Sequence, residues 1–359
     1  MKQRVWFADI LRIMGIVMVI FIHVISKDTH RYELETYQWQ FMNILNGISR
    51  ICVPILFMVS GMFFLDPKKD IEPKTMYTKY IWRLVRTFLF WSIVYVLMSR
   101  FRQPAQPIVD EVDQTVLEIV QGYFHLWFLY RLTEVYIMTP FLRPITRDKQ
   151  LALYFLLVSF VVGILIPTIN QFPVRSTATV VDNGLNVDIT LGYAGYFMAG
   201  YVLNRIQLTK NWRYGIYLLG LVGFAVTIIG TAVRSVQDGV MYSLFYEYLT
   251  PNVFFASIAT FVFFKYTIEP IELSDRVKKL ILHFSKYSFG IYLIHVLVRD
   301  LIWDQGINTT FASPILSIPI MVLVVGFVSY VLIWVLMRLW KRTIAKCQDV
   351  LNEKLNRTS

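Results

Sequence analysis

Arg12 and His23 stand in one apolar run, Asp9-Ile-Leu-Arg-Ile-Met-Gly-Ile-Val-Met-Val-Ile-Phe-Ile-His23. Read as a helix, the eleven steps between them give about 16 Å of rise and about three turns, so the two side chains share nearly one face. A guanidinium near one edge of the lipid then lines up with an imidazole near the other. Ionisable groups at membrane depth are costly and usually face a packed interior or a wet cavity, which makes a functional site the default reading. The plainer alternative is an Asp9–Arg12 pair at the helix mouth plus one hydrogen-bonded histidine. Arg83 and Arg86, three apart, suit bidentate contacts to phosphate oxygens, while a general excess of cytoplasmic cations would also account for them.

Other polar groups recur at helical spacing inside apolar segments. Asn43, Asn46 and Arg50 precede Val53-Pro54, where the proline removes a backbone donor and invites a kink; the stripe lines a cavity or ties helices together. In His125-Leu-Trp127-Phe-Leu-Tyr130-Arg131 the spacing of Arg131 and Glu134 favours an internal ion pair, which leaves His125 and Trp127 as candidates for an outward-facing pocket. Ser285, Ser288, Tyr292, His295 and Arg299 follow one another by three, four, three and four, so they share a face that is either a cavity wall or helix glue.

The elements that carry these residues are transmembrane helices. Of the 359 residues 56% are hydrophobic and only 16% charged, and the mean hydropathy of +0.53 excludes a soluble domain of this length. Ten apolar runs are long enough to cross a hydrocarbon layer of about 30 Å. They lie near 6–26, 42–65, 81–101, 123–145, 151–168, 189–206, 213–233, 252–270, 284–302 and 313–338. The expected fold is an all-α polytopic membrane protein with about ten spans. It comprises one membrane domain over 1–340 and a tail over 341–359, and the first run is kept as a helix and not removed as a signal peptide.

An even number of spans puts both termini on one side. That side carries Lys2, Arg4, Lys68 to Arg86, Arg143 to Lys149, Arg205 to Arg213, Lys265 to Lys286 and the tail from Arg338, whereas the other holds only Lys27, Arg31, Arg100, Arg102, Arg175, Arg234 and Arg299. The bias places the termini in the cytoplasm. The net charge of +11 is thus mostly an insertion signal; it calls for no nucleic acid, although a basic cytoplasmic rim also attracts anionic lipid headgroups or an anionic cosubstrate. Cys52 and Cys347 fall at different depths, so no disulfide is expected, and neither has a metal-ligand partner nearby. Between 102 and 122, Val109 to Val120 suits a short amphipathic helix on the membrane surface, and Asp182-Asn-Gly184 marks a turn.

Four of these patterns, in order, resemble the integral-membrane acyltransferase-3 family: Asp9-x-x-Arg12 followed by His23; Ser49-Arg50-x-x-Val53-Pro54-x-x-Phe57-Met58-x-Ser60-Gly61; His125-Leu-Trp127-Phe-Leu; and Ser288-Phe-Gly-Ile-Tyr-Leu-Ile-His295. The likeness runs from the first span to the tenth and is closest to stand-alone members without a fused extracytoplasmic esterase-like domain. Arg131 and Glu134 depart from the family's pattern. The resemblance implies an O-acyltransferase of the bacterial plasma membrane that moves acetyl from cytoplasmic acyl-CoA to a hydroxyl of a cell-surface glycan or its lipid-linked precursor. No permanently bound cofactor or metal is implied; acetyl-CoA is the donor substrate. Family membership would make His23 and Arg12 catalytic and give the donor to Arg83, Arg86 and Arg12. Arg50, His125, Trp127 and His295 are the candidate substrate-binding residues. His23, toward the outer face, is then the general base, with an acyl-histidine intermediate as the variant. The other class that fits the composition is a transporter or flippase for a lipid-linked sugar or small metabolite; inverted repeats would favour it, and the sequence shows none.

Overall fold

The computed structural model describes residues 4–69, 71–102, 111–171 and 188–358. Helices α1 (Trp6–Asp28), α2 (Tyr37–Ser49), α3 (Cys52–Phe64), α4 (Pro73–Arg102), α5 (Glu111–Gln121) and α6 (Trp127–Ile145) come first. They are followed by α7 (Lys149–Asn170), α8 (Asp188–Arg205), α9 (Lys210–Asp238), α10 (Leu244–Ile268), α11 (Asp275–Asp304) and α12 (Pro314–Thr358). No strand occurs among the described residues. The chain is an all-α, multi-pass membrane protein: eight segments are long and apolar enough to cross a membrane, namely α1, α2 with α3, α4, α7, α9, α10, α11 and α12 up to Thr343. The remaining two expected spans are helical as α6 and α8, 19 and 18 residues long, and are more polar than the other eight. α8 is largely buried in the bundle, whereas α6 leaves Ile137, Met138 and Phe141 exposed; its polar Arg131 and Glu134 pair with each other at 2.8 Å. The surface helix expected over 109–120 is present as α5, tied to α4 by the Arg100–Glu118 pair at 3.3 Å. The turn expected at Asp182-Asn-Gly184 lies outside the described residues, as do the prolines at 104 and 107.

The second expected span differs from a kinked single helix. It breaks outright at Arg50 and Ile51, between α2 and α3. Pro54 is the cause: it cannot donate to the Arg50 carbonyl four residues back, and its ring crowds that oxygen. The Arg50 amide instead closes a tight turn onto Gly47 O at 3.3 Å. The break frees Arg50 to point its side chain sideways.

At the heart of the bundle, α3 and α8 touch backbone to backbone. A methyl group at Gly61 would fall 1.8 Å from the Phe197 carbonyl oxygen, and one at Gly200 would fall 1.9 Å from that of Met58. Small residues at such a crossing let two helices approach where lipid offers no hydrophobic drive. Gly200→Ala should therefore cost about 1–3 kcal/mol through forced separation, read as a lower midpoint in a thermal-unfolding scan in detergent. Gly215→Ala, on α9 with open space around it, should be neutral or slightly stabilising, by about 1 kcal/mol at most. Equal midpoints for the two variants would contradict the close crossing.

Around this crossing α1 packs on α3, α11 and α12. Its first turn is fixed by Glu269, which accepts the Phe7 backbone N–H at 2.8 Å. Half-burial at this helix mouth raises the Glu269 carboxyl above the ordinary carboxylate range. Arg143, from α6, donates to the carbonyls of Phe64 at 2.8 Å and of Lys69, which closes the C-terminal end of α3.

Candidate active site

The polar face of α11 lies along the polar face of α1, and the two match turn for turn. At the N-terminal end of α1, Asp9 accepts from Ser285 at 2.6 Å and from Arg12 at 3.0 Å, while Arg12 also donates to Ser285 at 3.1 Å. Toward the other end, the His23 and His295 rings lie 5.2 Å apart, and Arg299 donates to the His23 carbonyl at 2.9 Å. The Asp9–Arg12 pair expected as the plainer alternative exists, yet Arg12 also reaches a cavity, as described below. Ser285, Ser288, Tyr292, His295 and Arg299 are all buried, as one shared face requires.

His125, at the entry to α6, completes a cluster of three imidazoles, 5.4 Å from the His295 ring and 6.2 Å from that of His23. The hydrogen bonds settle two tautomers. His295 Nδ1 meets the Tyr292 carbonyl at 2.6 Å and His125 Nε2 meets the Leu293 carbonyl at 3.4 Å; a carbonyl only accepts, so each of these nitrogens carries the proton. His295 Nε2 and His125 Nδ1 are then bare acceptors, buried and without a partner. Tyr95 holds the same stretch of α11, donating to Leu293 O at 2.9 Å and accepting from Leu297 N at 3.2 Å, so the turn that carries His295 is pinned from α4. Among the described residues no three His, Cys, Asp or Glu side chains are arranged to hold a metal ion.

Two cavities approach this cluster from opposite ends of α1. The first, about 970 Å³, is lined by His23, Arg50, Trp127, Arg131, Tyr193 and Tyr248 among others. Arg50 is held there by aromatic faces, 4.4 Å from the centroid of Tyr246 and 6.0 Å from that of Tyr248. Trp127 stacks on Tyr248 at 5.5 Å. His125 and His295, expected as wall residues, instead sit one layer behind His23, 1% and 0% exposed. Asn43 takes the plainer role of glue, donating to Ile228 O at 3.0 Å and accepting from Tyr246.

The second cavity, about 320 Å³, is lined by Arg12, Arg83, Ser60, Tyr136, Ser288 and Tyr292 among others. Arg83 has no carboxylate within ion-pair distance among the described residues. Arg86 does not reach this cavity; its guanidinium lies 5.8 Å from the Trp82 ring, one turn back on α4. Only one aromatic layer separates the cavities. Tyr292 lines the Arg12 cavity and approaches His125 at 5.8 Å and His295 at 6.0 Å, while Phe128 meets Phe57 at 5.2 Å and Phe57 stacks on Tyr193 of the other cavity at 4.8 Å.

Residues 5–338 match a family model described as an acyltransferase domain. The chain belongs to the acyltransferase-3 family. No curated protein and no solved structure matches it at significant similarity. For a membrane acyltransferase the arrangement is chemically apt, since such an enzyme must bring a donor and an acceptor to one bond-making point. Residues that the sequence does not single out join this candidate site: Tyr193 and Tyr248 on the cavity wall, Tyr246 against Arg50, and Asp300 beside Arg299. Asp300 binds Arg299 at 2.6 Å, Arg102 at 3.5 Å and Lys27 at 3.8 Å, and accepts from Tyr123 at 3.2 Å. The alternation of Tyr246 and Tyr248 around Glu247, at the start of α10, is the available signal for the tyrosines; Asp300 carries none, because i,i+1 neighbours on a helix do not normally face each other.

Proposed function

We propose that this membrane acyltransferase moves an acyl group, acetyl in the simplest case, from cytoplasmic acyl-CoA to a hydroxyl of a cell-surface glycan or its lipid-linked precursor. His23 acts as general base. The observation that carries the reading is the pair of cavities meeting at one aromatic layer, cationic at Arg12 and Arg83 and imidazole-bearing at His23. The charge bias of the sequence supports a cytoplasmic Arg12 end, on the side of both termini, and the family resemblance supports a bacterial plasma membrane. Donor phosphates sit near Arg12 and Arg83, and the slim, weakly polar thioester arm passes toward the layer of Tyr292 and Phe128. An acceptor hydroxyl in the larger cavity gives its proton to His23 as its oxygen attacks the thioester carbon. The C–S bond breaks, and the CoA thiolate withdraws and takes a proton to become the thiol.

The test separates two arginines that the sequence presents as equals. Purified protein is assayed for acyl loss from labelled acetyl-CoA. Arg83→Ala is expected to raise the donor KM about tenfold, the loss of one charge-assisted contact worth roughly 1.4 kcal/mol, whereas Arg86→Ala changes it by less than about threefold, as for an exposed cation off the site. A larger effect at Arg86 would move the donor out of the Arg12 cavity. Folded wild-type protein that turns over no acyl-CoA would remove this donor class from the proposal.

A further inference from the structure

A third polar cavity, of about 370 Å³, opens between the turn joining α6 to α7 and the last turn of α8. Thr146, Arg147 and Lys149 form one side; Tyr201, Arg205 and Gln207 form the other. The two sides are fixed to each other. Tyr201 donates to the Thr146 carbonyl at 3.2 Å, and the Thr146 hydroxyl donates to Arg143 O at 2.7 Å.

The charge around this cavity is of one sign. Among the described residues, Arg147, Lys149 and Arg205 have no carboxylate within ion-pair distance. The neighbouring acid, Asp148, is committed to the N-terminus of α7, where it accepts from Gln150 N at 2.7 Å and Leu151 N at 3.2 Å. A helix C-terminus beside the cavity would ordinarily repel an anion through its free carbonyls. Here a fourth cation occupies them: Lys265 Nζ donates to Leu203 O at 2.8 Å, Asn204 O at 3.1 Å and Ile206 O at 2.6 Å. Positive-inside bias accounts for many cations on this side of the protein. It does not require three of them to converge on one cavity, nor a fourth to quench the adjacent carbonyls.

We propose that this cavity binds a phosphate group, with Arg147, Lys149 and Arg205 as its ligands. Two guanidinium forks and an ammonium match the oxygens of a phosphate in both charge and donor geometry. The site faces the side that the charge bias assigns to the cytoplasm. Its ligand is thus the headgroup of an anionic phospholipid or a soluble phosphate, and the chemistry of recognition is common to both. The assignment is independent of the donor and acceptor proposed above, because none of its residues lines either of those cavities.

The experiment uses delipidated full-length protein and compares wild type with Arg147→Gln/Lys149→Gln/Arg205→Gln. A control, Arg276→Gln/Lys279→Gln/Arg342→Gln, removes the same charge from exposed positions elsewhere on that side. One arm titrates phosphatidylglycerol against phosphatidylcholine in nanodiscs, with bound lipid counted by native mass spectrometry. The other titrates inorganic phosphate in detergent and reads the thermal-unfolding midpoint. Binding in at least one arm should weaken about tenfold or more in the cavity variant and little in the control, as expected for three near-surface cations. Loss in the lipid arm assigns a headgroup; loss in the phosphate arm assigns a soluble ligand. Equal losses in the cavity variant and the control, or no binding in either arm, would overturn the proposal. Should the triple variant fold poorly, Arg205→Gln alone, a change of one exposed side chain, gives the same comparison with an expected loss of about threefold.

Discussion

Replacing His23 with alanine is expected to slow acyl transfer by about 10²–10⁴-fold, the range for loss of a positioned general base. Of the three clustered imidazoles, only His23 reaches the 970 Å³ cavity. His125 and His295 cannot take over, because each is enclosed by protein and neither lines that cavity. Donor affinity should survive the change, since the arginines of the other cavity lie at the far end of α1. Initial rates at matched amounts of folded protein, together with a separate acyl-CoA binding isotherm, give the two numbers. Full activity in His23→Ala would end the scheme. Loss of donor binding in parallel with rate would assign His23 a structural task instead. The variant mechanism through an acyl-histidine separates on one further reading: wild type incubated with labelled acetyl-CoA and no acceptor would retain label on the protein, while direct transfer would leave it unlabelled.

Much of this site is legible in the sequence for a simple reason. Membrane helices are long and regular, and polar residues at spacings of three and four inside them declare a face. Arg12 and His23 on α1, and Ser285 to Arg299 on α11, are found that way, and the structure lays those two faces against each other. What spacing cannot give is the neighbour across the interface. Arg83 and Arg86 look alike in one dimension, but Trp82 captures the second while the first opens into the cavity. The break at Arg50 is similarly a local event with a distant outcome: Pro54 interrupts the helix, and Tyr246, some two hundred residues later, is there to receive the guanidinium. The least legible feature is the set of buried acids at the C-terminal end of α1. Asp28, fully buried, accepts from Trp303 at 3.1 Å and from the Thr309 hydroxyl at 2.6 Å. Asp300 gathers cations from three helices or helix ends. In sequence each is an ordinary acid near the end of a span, where solvent would account for it.

Those acids bear directly on His23, and Asp300→Asn tests the connection. The carboxamide keeps the shape of the side chain and removes the only negative charge that Arg299, Lys27 and Arg102 are shown to share. Arg299 is 4% exposed, so its charge has no water to fall back on. Leaving such a buried cation unpaired is expected to cost about 3–5 kcal/mol. The thermal midpoint in detergent should fall accordingly, and the yield of folded protein with it. Adding Arg299→Gln removes the stranded charge, so the double variant should regain a large part of the lost stability, as buried pairs removed together generally do. Activity should not return with it. Arg299 is the residue that holds the His23 carbonyl at 2.9 Å, and without that tether the last turns of α1 lose their fixed register against His295. Stability and transfer rate would thus part company in the double variant. Recovery of both would mean that the network serves the fold alone, and an unshifted midpoint in Asp300→Asn would mean that water screens these charges after all.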